Sequence, residues 1–177
     1  MTDDEVQEAL VRWLTTFTGV QTIKARQGIK RPDGAYLMVE KGTVEELYDN
    51  PNHIDYDELT SENSEGFNEI KATPIVELEW LMLVFSFGEG QSRALRKVKQ
   101  AVYLQQIQEA LSVDAEGQIL PMVLNIHDTG VINSIPEFVD QRWEPRSQLN
   151  VMLRGVSSDG FVIDTVDRHS PFNVERT

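Results

Sequence analysis

Between Thr73 and Phe87 the chain alternates so regularly that an extended strand inside a sheet is the only element that accommodates it. Val76, Leu78, Trp80, Met82 and Val84 recur at every second position and so share one face, because successive side chains of a strand point to opposite sides. The intervening positions begin polar, at Glu77 and Glu79, and turn apolar at Leu81, Leu83, Phe85 and Phe87. The second half is therefore expected to be covered on both faces, as in a central strand. Such a strand needs further strands beside it and helices across it.

One helix is expected at the start of the chain. Thr2-Asp3-Asp4-Glu5 has the spacing of a capping box, Val6, Ala9, Leu10, Trp13, Leu14 and Phe17 form one apolar stripe, and Gly19 supplies a left-handed stop. A second helix is predicted from Gln91 to Leu111, with Ala94, Leu95, Val98, Val102, Ile107 and Leu111 inward and Arg93, Arg96, Lys97 and Lys99 largely outward. Strands are predicted at Val20–Gln27, Ala35–Glu40, Ile119–Ile126, Gln148–Gly155 and Phe161–Val166, with Asn133–Pro136 a turn. Ser157-Ser158-Asp159-Gly160 reads as a hairpin turn with positive φ at Gly160, joining the last two strands. The order implies an α+β fold, an antiparallel or mixed sheet with two helices packed on one face. Residues 1–167 are expected to form a single domain and 168–177 a polar tail.

Composition excludes several kinds of chemistry. The 29 acidic and 16 basic residues give a net charge of −13, which opposes adsorption to nucleic acid. There is no cysteine, hence no disulfide or thiolate chemistry, and no metal-ligand spacing, so no cofactor is expected. The start is acidic where an export signal is basic, and no apolar run approaches the ~18 residues of a membrane span, so the chain is expected to be soluble and unexported. Gly88-Glu89-Gly90 lacks the Gly-Lys-Ser/Thr ending of a phosphate loop and sets a carboxylate where an anion would sit. His53, His127 and His169 lie near acidic residues, but no Ser sits in a nucleophile elbow, and no catalytic residue is assigned. Met38, Met82, Met122 and Met152, with Trp13, Trp80 and Phe85, are read as core filling.

Two charged regions remain. Thr43 to Ile70 carries no Lys or Arg while Glu45, Glu46, Asp55, Asp57 and Glu58 accumulate among Asn, Ser, Gly and Pro. Its composition is that of a solvated loop inserted at 43–70; a partner contact and an acidic channel lining are the functional alternatives. From Ile135 to Leu153, Arg142, Trp143, Glu144 and Arg146 run directly into the alternating Gln148-Leu149-Asn150-Val151-Met152-Leu153. This cluster is either a solvated approach to a strand or a set of arginine forks for carboxylates on another protein.

Three local patterns, taken in order, resemble the terminator proteins of tailed-phage necks. They are Arg26-Gln27-Gly28-Ile29-Lys30-Arg31-Pro32 running to Ala35-Tyr36, Val84-Phe85-Ser86-Phe87-Gly88 before the basic helix, and Arg142-Trp143-Glu144-Pro145-Arg146-Ser147-Gln148-Leu149-Asn150-Val151. The resemblance runs from about Glu5 to Val166; the acidic insertion is longer than the family's hairpin region. It implies a non-enzymatic virion protein, assembled in the host cytoplasm, that forms a homohexameric ring capping the tail tube and docking to the head-completion or connector protein. In contractile tails the sheath is a further partner. DNA would pass through the ring without specific binding, and no membrane is involved. On this reading Arg31, Arg142, Glu144, Arg146 and Gln148 belong to a subunit or partner interface, and the segregation of charge along the chain adds Arg93, Arg96 and Lys97, facing the acidic segment of another copy. Another head–tail adaptor, or a small histidine-dependent hydrolase, are the competing readings.

Overall fold

The computed structural model describes residues 2–28, 31–48, 51, 53–62, 68–88, 90–113, 116–120, 123–139, 141–158 and 160–164. In chain order these form α1 (Asp3–Thr18), β1 (Thr22–Lys24), β2 (Tyr36–Glu46), β3 (His53–Glu62), β4 (Asn68–Phe87), α2 (Gln91–Ala101), α3 (Gln105–Glu109) with a 3-10 turn at Ala110–Ser112, β5 (Asn125–Thr129), β6 (Asn133–Ser134), β7 (Glu137–Val139), β8 (Arg142–Glu144), β9 (Arg146–Ser158) and β10 (Phe161–Asp164). The main sheet runs β1-β2-β4-β9-β5, with β3 and β10 also pairing with β4 and β6 with β9; β7 and β8 form a separate ribbon. β1 is parallel to β2 while β2 is antiparallel to β4, so the sheet is mixed and the class α+β. β4 is central, as its alternation requires.

The described residues fall into two compact units. The first comprises Met1–Leu47 and Glu77–Val156. Its core joins Val6, Leu10, Trp13 and Leu14 of α1 and Leu95 and Val98 of α2 to Trp80, Met82 and Val84 of β4 and to Leu149, Val151 and Leu153 of β9. Both helices thus pack against one sheet face. α1 forms because its ends are fixed locally: the Thr2 N–H donates to Glu5 Oε2 at 2.6 Å, the Glu5 N–H donates to Thr2 Oγ1 at 3.4 Å, and Gly19, at φ 72°, donates its N–H to Thr15 O. Gln7 is buried in the apolar stripe because its side-chain amide donates to Val39 O at 2.9 Å. The other sheet face carries a smaller cluster of Tyr36, Phe85 and Phe87, with Ile23, Met38 and Leu83 against it. In β2 the register shifts between Lys41 and Val44, where a side chain on Gly42 would bring its Cβ to 2.8 Å from Leu81 O.

The second unit, Tyr48–Val76 with Ser157–Thr177, contains three antiparallel strands in which β4 lies between β3 and β10. Register places Tyr56, Ala72 and Phe161 on one face, and Asp55, Asp57, Lys71, Thr73 and Val162 on the other.

Several sequence expectations are corrected. The segment read as an acidic loop is largely strand: β2 continues to Glu46, and β3 pairs with β4 from His53↔Ile75 to Glu62↔Asn68. Main-chain bonding to β4 decides the conformation, and Asp55 and Asp57 are exposed on one face of it. The long helix ends at Ala101 and resumes at Gln105, because its apolar positions Val102 and Ile107 are five apart, about 140° round a straight helix. Ile119 makes an isolated bridge to Val113, and the strand begins at Asn125 instead, after Pro121, which has no N–H to donate. β10 does not turn back on β9: it pairs with β4, Phe161 opposite Ala72, and Gly160 has no positive φ. β6 and the β7–β8 ribbon occupy ground read as turn and approach segment.

Candidate interface surfaces

The first unit gathers three of the residues singled out in the sequence around the small cluster on the sheet's second face. Arg146, at the start of β9, lays its guanidinium over the rings of Phe85 and Phe87, 4.0 and 5.2 Å from their centroids. Its Nη1 donates to Glu137 Oε2 at 3.0 Å, while its Nε is buried without a hydrogen-bond partner among the described residues. Beside it Tyr36 stacks on Phe87 with centroids 4.6 Å apart, and Arg31 Nη1 lies 3.6 Å from Glu144 Oε2. Burial raises the Tyr36 phenol above its ordinary value, with Arg31 opposing and Glu144 adding to the effect. Arg31, Glu144 and Arg146 therefore meet partners within their own chain. Arg142 lies on β8 opposite Val139, and the half-buried Gln148 donates from its amide to Asn150 Oδ1 at 2.9 Å.

The basic residues of α2 divide into two pairs. Lys97 donates to Phe17 O at 2.8 Å and sits 5.0 Å above the Phe17 ring, and Lys99 donates to Gly130 O at 2.9 Å. Both lysines tie α2 to its neighbours. Arg93 and Arg96 are exposed and make no ion pair among the described residues. They are the cations of α2 left to face outward.

Among the acidic residues, Glu45 and Glu46 are exposed at the end of β2 in the first unit, opposite Glu79 and Leu78. In the second unit Asp55 and Asp57 are exposed on β3, Asp55 lying 2.8 Å from His53 Nε2 and Asp57 opposite Lys71. Glu58 pairs in register with Ile70. His127 is exposed on β5, and His169 lies outside the described residues, as does the tail 168–177. No helix among the described residues is long and apolar enough to cross a membrane.

Sequence reasoning missed two apolar features of the first unit. Phe138 on β7 and Trp143 on β8 face each other in register with rings 5.2 Å apart, both exposed. Val139 pairs with Arg142 across a two-residue gap, and Gln141 adopts a left-handed φ of 66°. An Asp-Gln pair is a weak hairpin signal beside Asn-Gly, which is why the ribbon was not legible. The second feature is a groove where α2 breaks into α3, lined by Val102, Tyr103, Val113, Ile119, Val123 and Leu124. The off-phase Val102–Ile107 spacing was the available signal for it.

These surfaces define an α+β protein whose distinctive exposed features are patches of like charge and of apolar side chains. Residues 4–176 match the family model described as phage neck terminator protein, and the chain belongs to that family, the structural proteins of the bacteriophage neck. Among curated proteins none matches the chain.

Proposed function

We propose that copies of this chain close into a ring, six in the family pattern, that caps the tail tube, stops its polymerisation and docks the tail to the head connector. The observation that supports the reading is that outward charge in the first unit is divided by sign between elements, Arg93 and Arg96 on α2 and Glu45 and Glu46 at the end of β2. A ring closes through a heterologous interface, in which one patch of a subunit meets a different patch of the next, and opposite charges on two such patches supply both attraction and register. Tube growth then stops because the ring's lower face complements the tube while its upper face offers no tube-like surface for another layer. The remaining negative charge repels DNA phosphates and keeps a passing genome from adhering.

Reversing the charge of Arg93 and Arg96 together tests this reading. Neither side chain holds a hydrogen bond or ion pair among the described residues, so the fold should survive, and light scattering should show assembled rings replaced by monomers. Lys97 is left untouched because it fastens α2 to the end of α1. Unchanged assembled mass in the double variant refutes the charge-paired ring.

A further inference from the structure

The β7–β8 ribbon and the groove at the α2–α3 break are unlike apolar patches on one chain. Phe138 and Trp143 at the ribbon are 60% and 69% exposed. The groove has a volume of about 750 Å³, and Tyr103, Ile119 and Val123 on its walls are 84%, 77% and 69% exposed. Contiguous exposure of large apolar side chains marks a surface that another molecule covers. We infer that the Phe138–Trp143 pair of one copy seats in the α2–α3 groove of the next. This rests on the ring proposed above and names the contact at its centre.

Charge favours a second copy as the occupant. With a net charge of −13, two copies repel, and contact is least opposed where the surface is neutral. Neither patch carries more than about one uncompensated charge: Glu137 and Glu144, which flank the aromatic pair, are met by Arg146 and Arg31 of the same chain, which leaves Arg142 beside Trp143. Glu109 is the one charged residue among the described groove lining, a carboxylate held by the neutral Gln105 amide at 2.9 Å and opposite in sign to Arg142 of the ribbon. Area agrees. Two aromatic side chains that are 60% and 69% open still offer roughly 100–170 Å² each, about a third of the about 800 Å² that each partner of a stable interface contributes, and Trp is enriched at binding hot spots.

Because the chain has no cysteine, thiols can be placed at will. Trp143→Cys in one tagged copy and Val123→Cys in a differently tagged copy, co-expressed and treated with a short bis-maleimide, should cross-link to each other, while either variant alone should not. Phe138→Cys with Tyr103→Cys is a second pair, and all four positions are exposed, so the fold does not depend on them. Trp143→Ser should weaken association by about thirtyfold, the loss of one hot spot. Rings by sedimentation without mixed cross-links overturn the inference and leave the ring intact. Cross-links between two Trp143→Cys copies alone would mean a self-complementary contact and overturn it as well. Monomers without cross-links sink both readings.

Discussion

Arg146 shows how one side chain can serve a role other than the one its sequence surroundings suggest. The sequence places it among arginines suited to a neighbour's carboxylate, yet its guanidinium covers Phe85 and Phe87 and bonds Glu137. Arg146→Ala should therefore act first on stability, by about 2 kcal/mol from the lost cation–π contact and the charge-assisted bond, as a lowered urea midpoint. A variant as stable as the parent would return Arg146 to the solvated surface. The charges of Glu137 and Glu144 are offset by arginines from other elements, Arg146 and Arg31, a pairing that sequence separation conceals.

At the scale of elements, α1 was legible because every determinant is local: the cap, the stripe and the Gly19 stop lie within one segment. The hydrogen bond from the Thr2 backbone N–H is the chief cause holding the Glu5 carboxyl below its ordinary value of 4.5. A carboxyl with a depressed folded value stabilises the fold at pH above the ordinary value and loses that contribution as pH falls through the depressed one. Thr2→Ala, which removes the cap, should cost about 1 kcal/mol at neutral pH, seen as a lower midpoint in thermal melts followed by circular dichroism. Glu5→Gln should remove a pH-dependent part of the stability, so that its melting point and the parent's converge as pH falls through that depressed value. A constant difference across that range would contradict the assignment. Other elements depended on distant partners. β3 was hidden by its acidic composition, since solvation and strand pairing leave the same residue types exposed, and β10 was misassigned because its partner, Ala72, lies far back in the chain. β4 escaped this difficulty, because burial on both faces writes itself into the sequence of the strand.

At the scale of the molecule, class and family were legible because they rest on the order of elements and on motifs spread from Arg26 to Val151. The surfaces were less so. Arg93 and Arg96 could be named, but only the structure separates them from Lys97 and Lys99, whose ammonium groups are spent on Phe17 and Gly130. The aromatic ribbon and the groove arise from a turn and a helix break that carry little local signal. Charge across the proposed interface also sets a salt dependence. If Arg93 and Arg96 meet acidic strands of the next copy, raising ionic strength from about 0.1 to 1 M should slow assembly in stopped-flow light scattering, while the apolar centre preserves the assembled state. An assembly rate indifferent to salt would leave the charged patches without a part in subunit encounter.

The mass of the purified protein under native conditions bears most directly on whether copies of this chain mate through two unlike surfaces. A single closed species built from six copies of the 20.1 kDa chain is the predicted result. A monomer that persists at high concentration and in the presence of tail-tube protein would contradict it.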